Sequence, residues 1–190
     1  MTIEQFFFKF RGFTPVPLVL IVLIFAQPTG NSFLLGCALM VVGELIRIWG
    51  VSYAGGATRT RNVGAHQLVT NGPFAHLRNP LYLGNMFMYT GAAVIANVWI
   101  PYLILFTWIF FGIQYYFIIK LEEEKLKELF GQTYLDYCQR VPRILPQLKA
   151  APSENPVKPD LPGALRSEKS TFISFASILI LLFLKMKFFL

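Results

Sequence analysis

No charged residue occurs between Arg11 and Glu44, and Pro28, Gly30 and Asn31 divide this apolar stretch in two. Turn-forming residues at that break predict one membrane span over residues 14–27 and a second from about 32 to 54. Residues 55–80 (GGATRTRNVGAHQLVTNGPFAHLRNP) are rich in Gly, polar and basic residues and read as a loop outside the hydrocarbon. Two further apolar runs, 81–97 and 99–119, are separated only by Asn97-Val98-Trp99-Ile100-Pro101, which predicts a tight helical hairpin with aromatic residues near its turn. From Lys120 to Arg140 charges alternate while Leu121, Leu126, Leu129, Phe130 and Tyr134 recur at helical intervals, the pattern of an amphipathic helix leaving the membrane. Prolines 146, 152, 156, 159 and 162 then suit an extended linker. Residues 171–190 are apolar as far as Lys185 and Lys187, which leaves a fifth span and a shallow anchor both open.

Composition supports a membrane setting. Of the 190 residues 55% are apolar and 14% charged, against roughly 45–50% and about 25% in soluble domains. A soluble enzyme and a disordered chain are excluded. The expected fold class is an all-α integral membrane protein of about five transmembrane helices plus a cytosolic amphipathic helix. It divides into a membrane-embedded core over 1–150, a proline-rich linker over 151–170 and a C-terminal hydrophobic helix over 171–190. The N-terminal sequence MTIEQFFFKFRGF lacks a small-residue cleavage site, so the first span is expected to persist in the mature protein.

The net charge of +7 admits nucleic acid or an anionic membrane surface as partner. The hydrophobic runs decide for the bilayer and against nucleic acid. Fourteen of the 17 Lys and Arg lie in the N-terminal stub, the 55–80 loop and the 120–170 region, and none in the turns at 28–31 and 97–101. Basic residues concentrate in cytoplasmic loops, so the N-terminus and both polar segments are expected in the cytosol. Cys37 and Cys138 match no metal or redox spacing, and no metal site is expected. Glu44 and Arg47 share a helix face at i, i+3. Snorkelling to the interface and a functional role are both open for them.

Two segments carry candidate chemistry. The first, His66 to Gly84, places two imidazoles and a guanidinium just ahead of a span. Arg78 can hold a carboxylate bidentately, Pro80 pre-sets a helix start, and Gly84 permits close approach of backbone or ligand. The second, Glu122 to Pro146, begins with three consecutive carboxylates where the fourth span ends, suited to a ligand's amino group. Taken separately, a basic membrane-surface loop and a solvated acidic helix face are the favoured readings of the two.

Together they carry a resemblance. The pattern His66-x-Leu68-Val69-Thr70-x-Gly72-x-Phe74-x-x-x-Arg78-x-Pro80-x-Tyr82-x-Gly84 is followed about 40 residues later by Glu122-Glu123. Then come Phe130-Gly131-x-x-Tyr134-x-x-Tyr137 and Arg140-Val141-Pro142. Over residues 45–146 this resembles the isoprenylcysteine carboxyl methyltransferases, and its core is shared with the related phospholipid N-methyltransferases. The resemblance implies a membrane-embedded transferase using S-adenosylmethionine, with no Rossmann fold, and the chain has no G-x-G-x-x-G in a βαβ setting. It further implies that His66, Gly72, Arg78, Asn79, Pro80, Tyr82, Gly84, Glu122 and Glu123 bind the cofactor, and that Arg78, Glu123 and Arg140 serve catalysis. Asn79 stands where the isoprenylcysteine branch has His and looks more like the phospholipid branch. An amide cannot titrate near neutral pH. The Leu-Val-Thr and Arg-Val-Pro stretches point back to the isoprenylcysteine branch.

The implied chemistry is compatible with the residues. A sulfonium donor is already activated, so displacement needs alignment and exclusion of water more than acid–base help. A carboxylate acceptor requires no base, and Arg78 or Arg140 can orient it. An amine must lose a proton, with Glu123 or His66 to receive it. The acceptor is expected to be a lipid or lipid-linked molecule entering from the bilayer, and the short chain favours a prokaryotic inner membrane over endoplasmic reticulum. Two alternatives stand beside this reading: a membrane reductase of the sterol-reductase kind using NADPH, and a non-catalytic membrane scaffold.

Overall fold

In a computed structural model, which describes residues 1–55 and 67–188, the chain forms six helices and no strand occurs among these residues. They are α1 (Ile3–Phe10), α2 (Val16–Phe25), α3 (Gly30–Ala54), α4 (Pro80–Ala96), α5 (Tyr102–Arg140) and α6 (Leu161–Phe188), with a 3-10 turn at Gly72–Ala75. The architecture is that of an all-α membrane protein. Helices α3, α5 and α6 are long and apolar enough to cross a bilayer. Helix α4, at 17 residues, reaches the lower bound of about 17 for a span.

Helix α2 has ten residues, about 15 Å of rise, and is too short to cross alone. The 14–27 span expected from the sequence is curtailed at both ends. Pro15 and Pro17 confine the start, and Pro28 biases Gln27 away from helical geometry. Gln27 donates its N–H to Ala96 O (2.8 Å) and receives Asn97 Nδ2 on its own carbonyl (3.1 Å), joining the end of α2 to the end of α4.

The closest helix pairing is that of α3 with antiparallel α4. A Cβ on Gly43 would stand 2.5 Å from Gly84 O and one on Gly84 2.7 Å from Gly43 O, and Gly36 and Gly91 repeat the relationship one heptad away. Seven-residue spacing on both helices keeps the glycines on one seam, so the backbones touch where side chains would hold them apart. Buried Met40, Met86, Ile95, Phe111 and Ile118 fill the space between this pair and α5. Helix α1 lies along α5, with Phe7 stacked on Phe117 (5.5 Å) and Lys120 paired to Glu4 (2.9 Å).

Helix α5 differs from the expected span followed by a separate amphipathic helix. It runs unbroken through Lys120, because residues 120–129 are mostly good helix formers. The break comes at Gly131, whose φ of 52° is non-helical and suits glycine. The short segment beyond it packs Tyr134, Tyr137 and Val141 against Leu126, Phe130 and Leu68.

Residues 142–160 are extended, as their prolines require, but they are bound rather than free. Gln147 N donates to His76 O, Ala151 N to Ala75 O, and Asn71 exchanges two bonds with the Val157 backbone, all between 2.8 and 3.0 Å. Asp160 N ends this strap on Ser52 O at 2.7 Å. Helix α6 then begins at Leu161, ten residues ahead of the boundary read from the sequence. Asp160 caps it through Gly163 N (2.9 Å), and Pro162 occupies the first turn, where no N–H is needed. Near its other end, Lys185 donates to Leu23 O (3.0 Å) and Ile24 O (2.7 Å), satisfying the last carbonyls of α2.

Candidate functional site

The loop ahead of α4 is shaped by Gly72, at φ 60°, where a Cβ would strike the Tyr53 ring at 2.5 Å. The 3-10 turn then leads to Arg78 and Asn79, and Pro80 opens α4 so that Tyr82 falls in its first turn. Across from them, α5 presents Glu122 and Glu123 where its apolar part ends. The two segments picked out in the sequence therefore meet at one end of the helix bundle.

Arg78 joins them. Its Nε donates to Glu123 Oε1 (3.0 Å), and its Nη1 to the carbonyls of Cys138 (3.0 Å) and Val141 (3.1 Å). Its backbone N–H reaches Pro142 O at 2.9 Å. One guanidinium thus satisfies end carbonyls of α5 and a buried carboxylate together. The other oxygen of Glu123 accepts from Arg143 Nη2. That bond raises the Arg143 pKa further above its ordinary value.

The second pair is Tyr82 and Glu122. The Tyr82 hydroxyl lies 2.9 Å from each oxygen of Glu122, and its ring packs 4.6 Å from that of Tyr115. Adjacent carboxylates on α5 are therefore held by different partners, Glu122 by a phenol and Glu123 by two guanidiniums.

Asn79 donates Nδ2 to Arg143 O (3.0 Å) and does not cap α4. Buried Pro80 supplies the helix start. Gly84 faces α3, with the Arg47 stem crossing it, and serves helix contact. Arg140 is exposed and bonds Asp136 O of its own helix at 3.3 Å. Arg143, three residues on, reaches Glu123 in its stead. His66 lies outside the described residues. His76, the other imidazole of the loop, places Nδ1 2.9 Å from Gln147 O and binds the strap.

Sequence reasoning missed Arg143, although it stands in the Arg-Val-Pro-Arg run. It also missed Glu168, which is fully buried on α6 with its two oxygens 2.7 and 2.8 Å from Arg47 Nη2. The Glu44–Arg47 pair read from the sequence is present at 3.6 Å, and Glu168 is the closer partner. A lone acid ahead of an apolar run carries no signal of such pairing.

Two adjacent carboxylates beside a pair of guanidiniums suit a zwitterionic amino-acid moiety, the former for its ammonium and the latter for its carboxylate. An apolar groove lined by Ile21, Trp99, Tyr102, Leu103 and Phe106 lies at the other end of α5 and adds no polar chemistry.

The chain is 31% identical over 118 residues to the protein-S-isoprenylcysteine O-methyltransferase of Tribolium castaneum, covering 59% of this chain and 41% of that protein. It is 31% identical over 117 residues to protein-S-isoprenylcysteine O-methyltransferase B of Arabidopsis thaliana, covering 58% and 57%. It is 28% identical over 148 residues to the nickel-cobalt-cadmium resistance protein NccN of Alcaligenes xylosoxydans xylosoxydans, covering 74% and 65%. In each case the chain spans less than two thirds of the relative's length. The profile of the phospholipid methyltransferase family matches residues 31–133, from α3 through the loop motif and both α5 carboxylates. Over half of the chain falls within that match, and the protein belongs to the phospholipid methyltransferase family.

Proposed function

We propose that this protein transfers a methyl group from S-adenosylmethionine to a lipid-linked carboxylate, at the cytosolic ends of its spans. The observation that carries this reading is the convergence of Arg78 and Tyr82 from the loop and α4 on Glu123 and Glu122 of α5. These residues fit the cofactor's amino-acid end, with Glu122 and Glu123 toward its ammonium and Arg78 or Arg143 toward its carboxylate. When bound, S-adenosylmethionine supplies an activated methyl group on a sulfonium.

The chain's own task is then to bind, orient and exclude water. Both oxygens of Glu123 are engaged by guanidiniums and both of Glu122 by Tyr82. An amine acceptor must lose a proton to the site. A carboxylate acceptor is already ionised and needs none removed, which favours ester formation over amine methylation. The names of the isoprenylcysteine relatives support the same choice. The cytosolic orientation rests on the placement of 14 of the 17 basic residues on one side of the spans.

The test is methyl transfer from methyl-labelled S-adenosylmethionine by the full chain in lipid vesicles, offered a prenylated cysteine carboxylate or phosphatidylethanolamine. Base-labile label on the prenylcysteine is the expected result. Label on the amine alone would overturn the choice of acceptor, and label on neither would count against the activity.

A further inference from the structure

Glu168 sits in the second turn of α6, beyond the residues matched by the family profile, yet it is among the most deeply buried charged groups in the protein. It is bound to Arg47 through both carboxylate oxygens. The stem of Arg47 passes over Gly84, where a Cβ would lie 2.6 Å from its Cγ, and its Nη1 donates to Asn85. Gly84 and Asn85 directly follow Tyr82 and Leu83 on α4. The Tyr-x-Gly part of the loop motif is therefore gripped from behind by a guanidinium that α6 holds in place.

We propose that Glu168 is a positioning residue for the site, acting through Arg47 on the start of α4 and so on the Tyr82–Glu122 pair. The inference rests on the cofactor site described above. Its physical basis is that a buried guanidinium takes a defined direction only when its partner is fixed. Arg47 has a nearer anchor in Glu168 than in Glu44, at 2.7 Å against 3.6 Å. Without the Glu168 charge, the guanidinium that spans Gly84 and Asn85 relaxes toward Glu44 on its own helix. The first turn of α4, which carries Tyr82, then loses its brace on the side facing α3. Asn85 lies one helical turn beyond Tyr82 on the same face, so a shift at one is felt at the other.

The test is a double-mutant cycle on S-adenosylhomocysteine binding, measured by calorimetry with the full chain in detergent. Glu168→Gln keeps the side chain's shape and removes its charge, whereas Tyr82→Phe removes the hydroxyl that Glu122 accepts. Each is expected to weaken binding by about three- to tenfold, and the double variant by no more than the stronger single one, because both act at one pair. Glu168→Asp retains a buried charge and guards against misfolding of the glutamine variant; it is expected to bind more tightly than Glu168→Gln. Effects that multiply, or undiminished affinity in both Glu168 variants while Tyr82→Phe is impaired, would overturn the inference. Failure of folded wild type to bind would instead overturn the cofactor reading on which it rests.

Discussion

Arg78 Nε lies 3.0 Å from Glu123 Oε1, joining residues 45 positions apart on the loop and on α5. Both side chains are about nine-tenths buried, so solvent does little to screen the pair. The same guanidinium holds the carbonyls of Cys138 and Val141, so the interaction is at once part of the candidate site and a clasp on the end of α5.

Replacing Arg78 by Ala is therefore expected to lower stability as well as cofactor binding, because it strips one partner from a buried carboxylate. Such losses run to about 3–5 kcal/mol, moderated here because Arg143 still reaches Glu123. Arg78→Lys should not restore binding, since an ammonium cannot serve Glu123 and two carbonyls in the fork geometry of a guanidinium. Thermal unfolding in detergent and calorimetric titration would register the two effects separately.

The glycine seam makes a prediction that distinguishes position from residue type. Gly43→Ala drives a methyl to 2.5 Å from Gly84 O and is expected to cost about 1–3 kcal/mol by forcing α3 and α4 apart. Gly112→Ala on α5 meets no atom within 4 Å, and should be neutral or stabilising by up to about 1 kcal/mol. Equal thermal midpoints for the two variants would contradict the backbone contact.

Gly131→Ala tests the break in α5 by a different mechanism. No atom blocks a Cβ there, but the φ of 52° does, at a cost of about 1–3 kcal/mol. If the residue adopts helical geometry instead, Tyr137 leaves its 2.8 Å bond to Phe74 O and the clasp at Arg78 opens. Reduced protection of residues 132–140 in hydrogen exchange is the expected sign.

The exposed pair Glu4–Lys120 supplies a pH test. Its hydrogen bond holds the Glu4 pKa down to about 2, from an ordinary value of 4.5. A depressed folded-state pKa stabilises above the unfolded value, so the contribution is present above pH 4.5 and fades as pH falls toward 2. The difference in thermal midpoint between wild type and Glu4→Gln should shrink over that window. It should also shrink with added salt, as for any exposed pair.

Much of this arrangement is legible in the sequence where the signal is local. The hairpin, the loop motif and the paired carboxylates are contiguous in the chain, and their order alone suggests that they meet. The strap is not legible, because its bonds run from Val157 to Asn71 and from Ala151 to Ala75, across about 80 positions and without periodicity. Choosing between Arg140 and Arg143 required knowing that α5 ends at Arg140, which leaves Arg140 facing outward and turns Arg143 back toward Glu123. Gly84 reads from sequence as a close approach of backbone or ligand. The structure uses it for Arg47 and the backbone of α3, a choice that depends on which face of α4 meets its neighbour.

The most direct test of the central claim, that loop and α5 together form one cofactor site, is calorimetric binding of S-adenosylhomocysteine to wild type and to Arg78→Ala and Glu123→Ala. Wild-type binding that both substitutions weaken by tenfold or more is the predicted result. Absence of binding to folded wild type, or binding indifferent to both substitutions, would contradict it, and NADPH would be the next ligand to try.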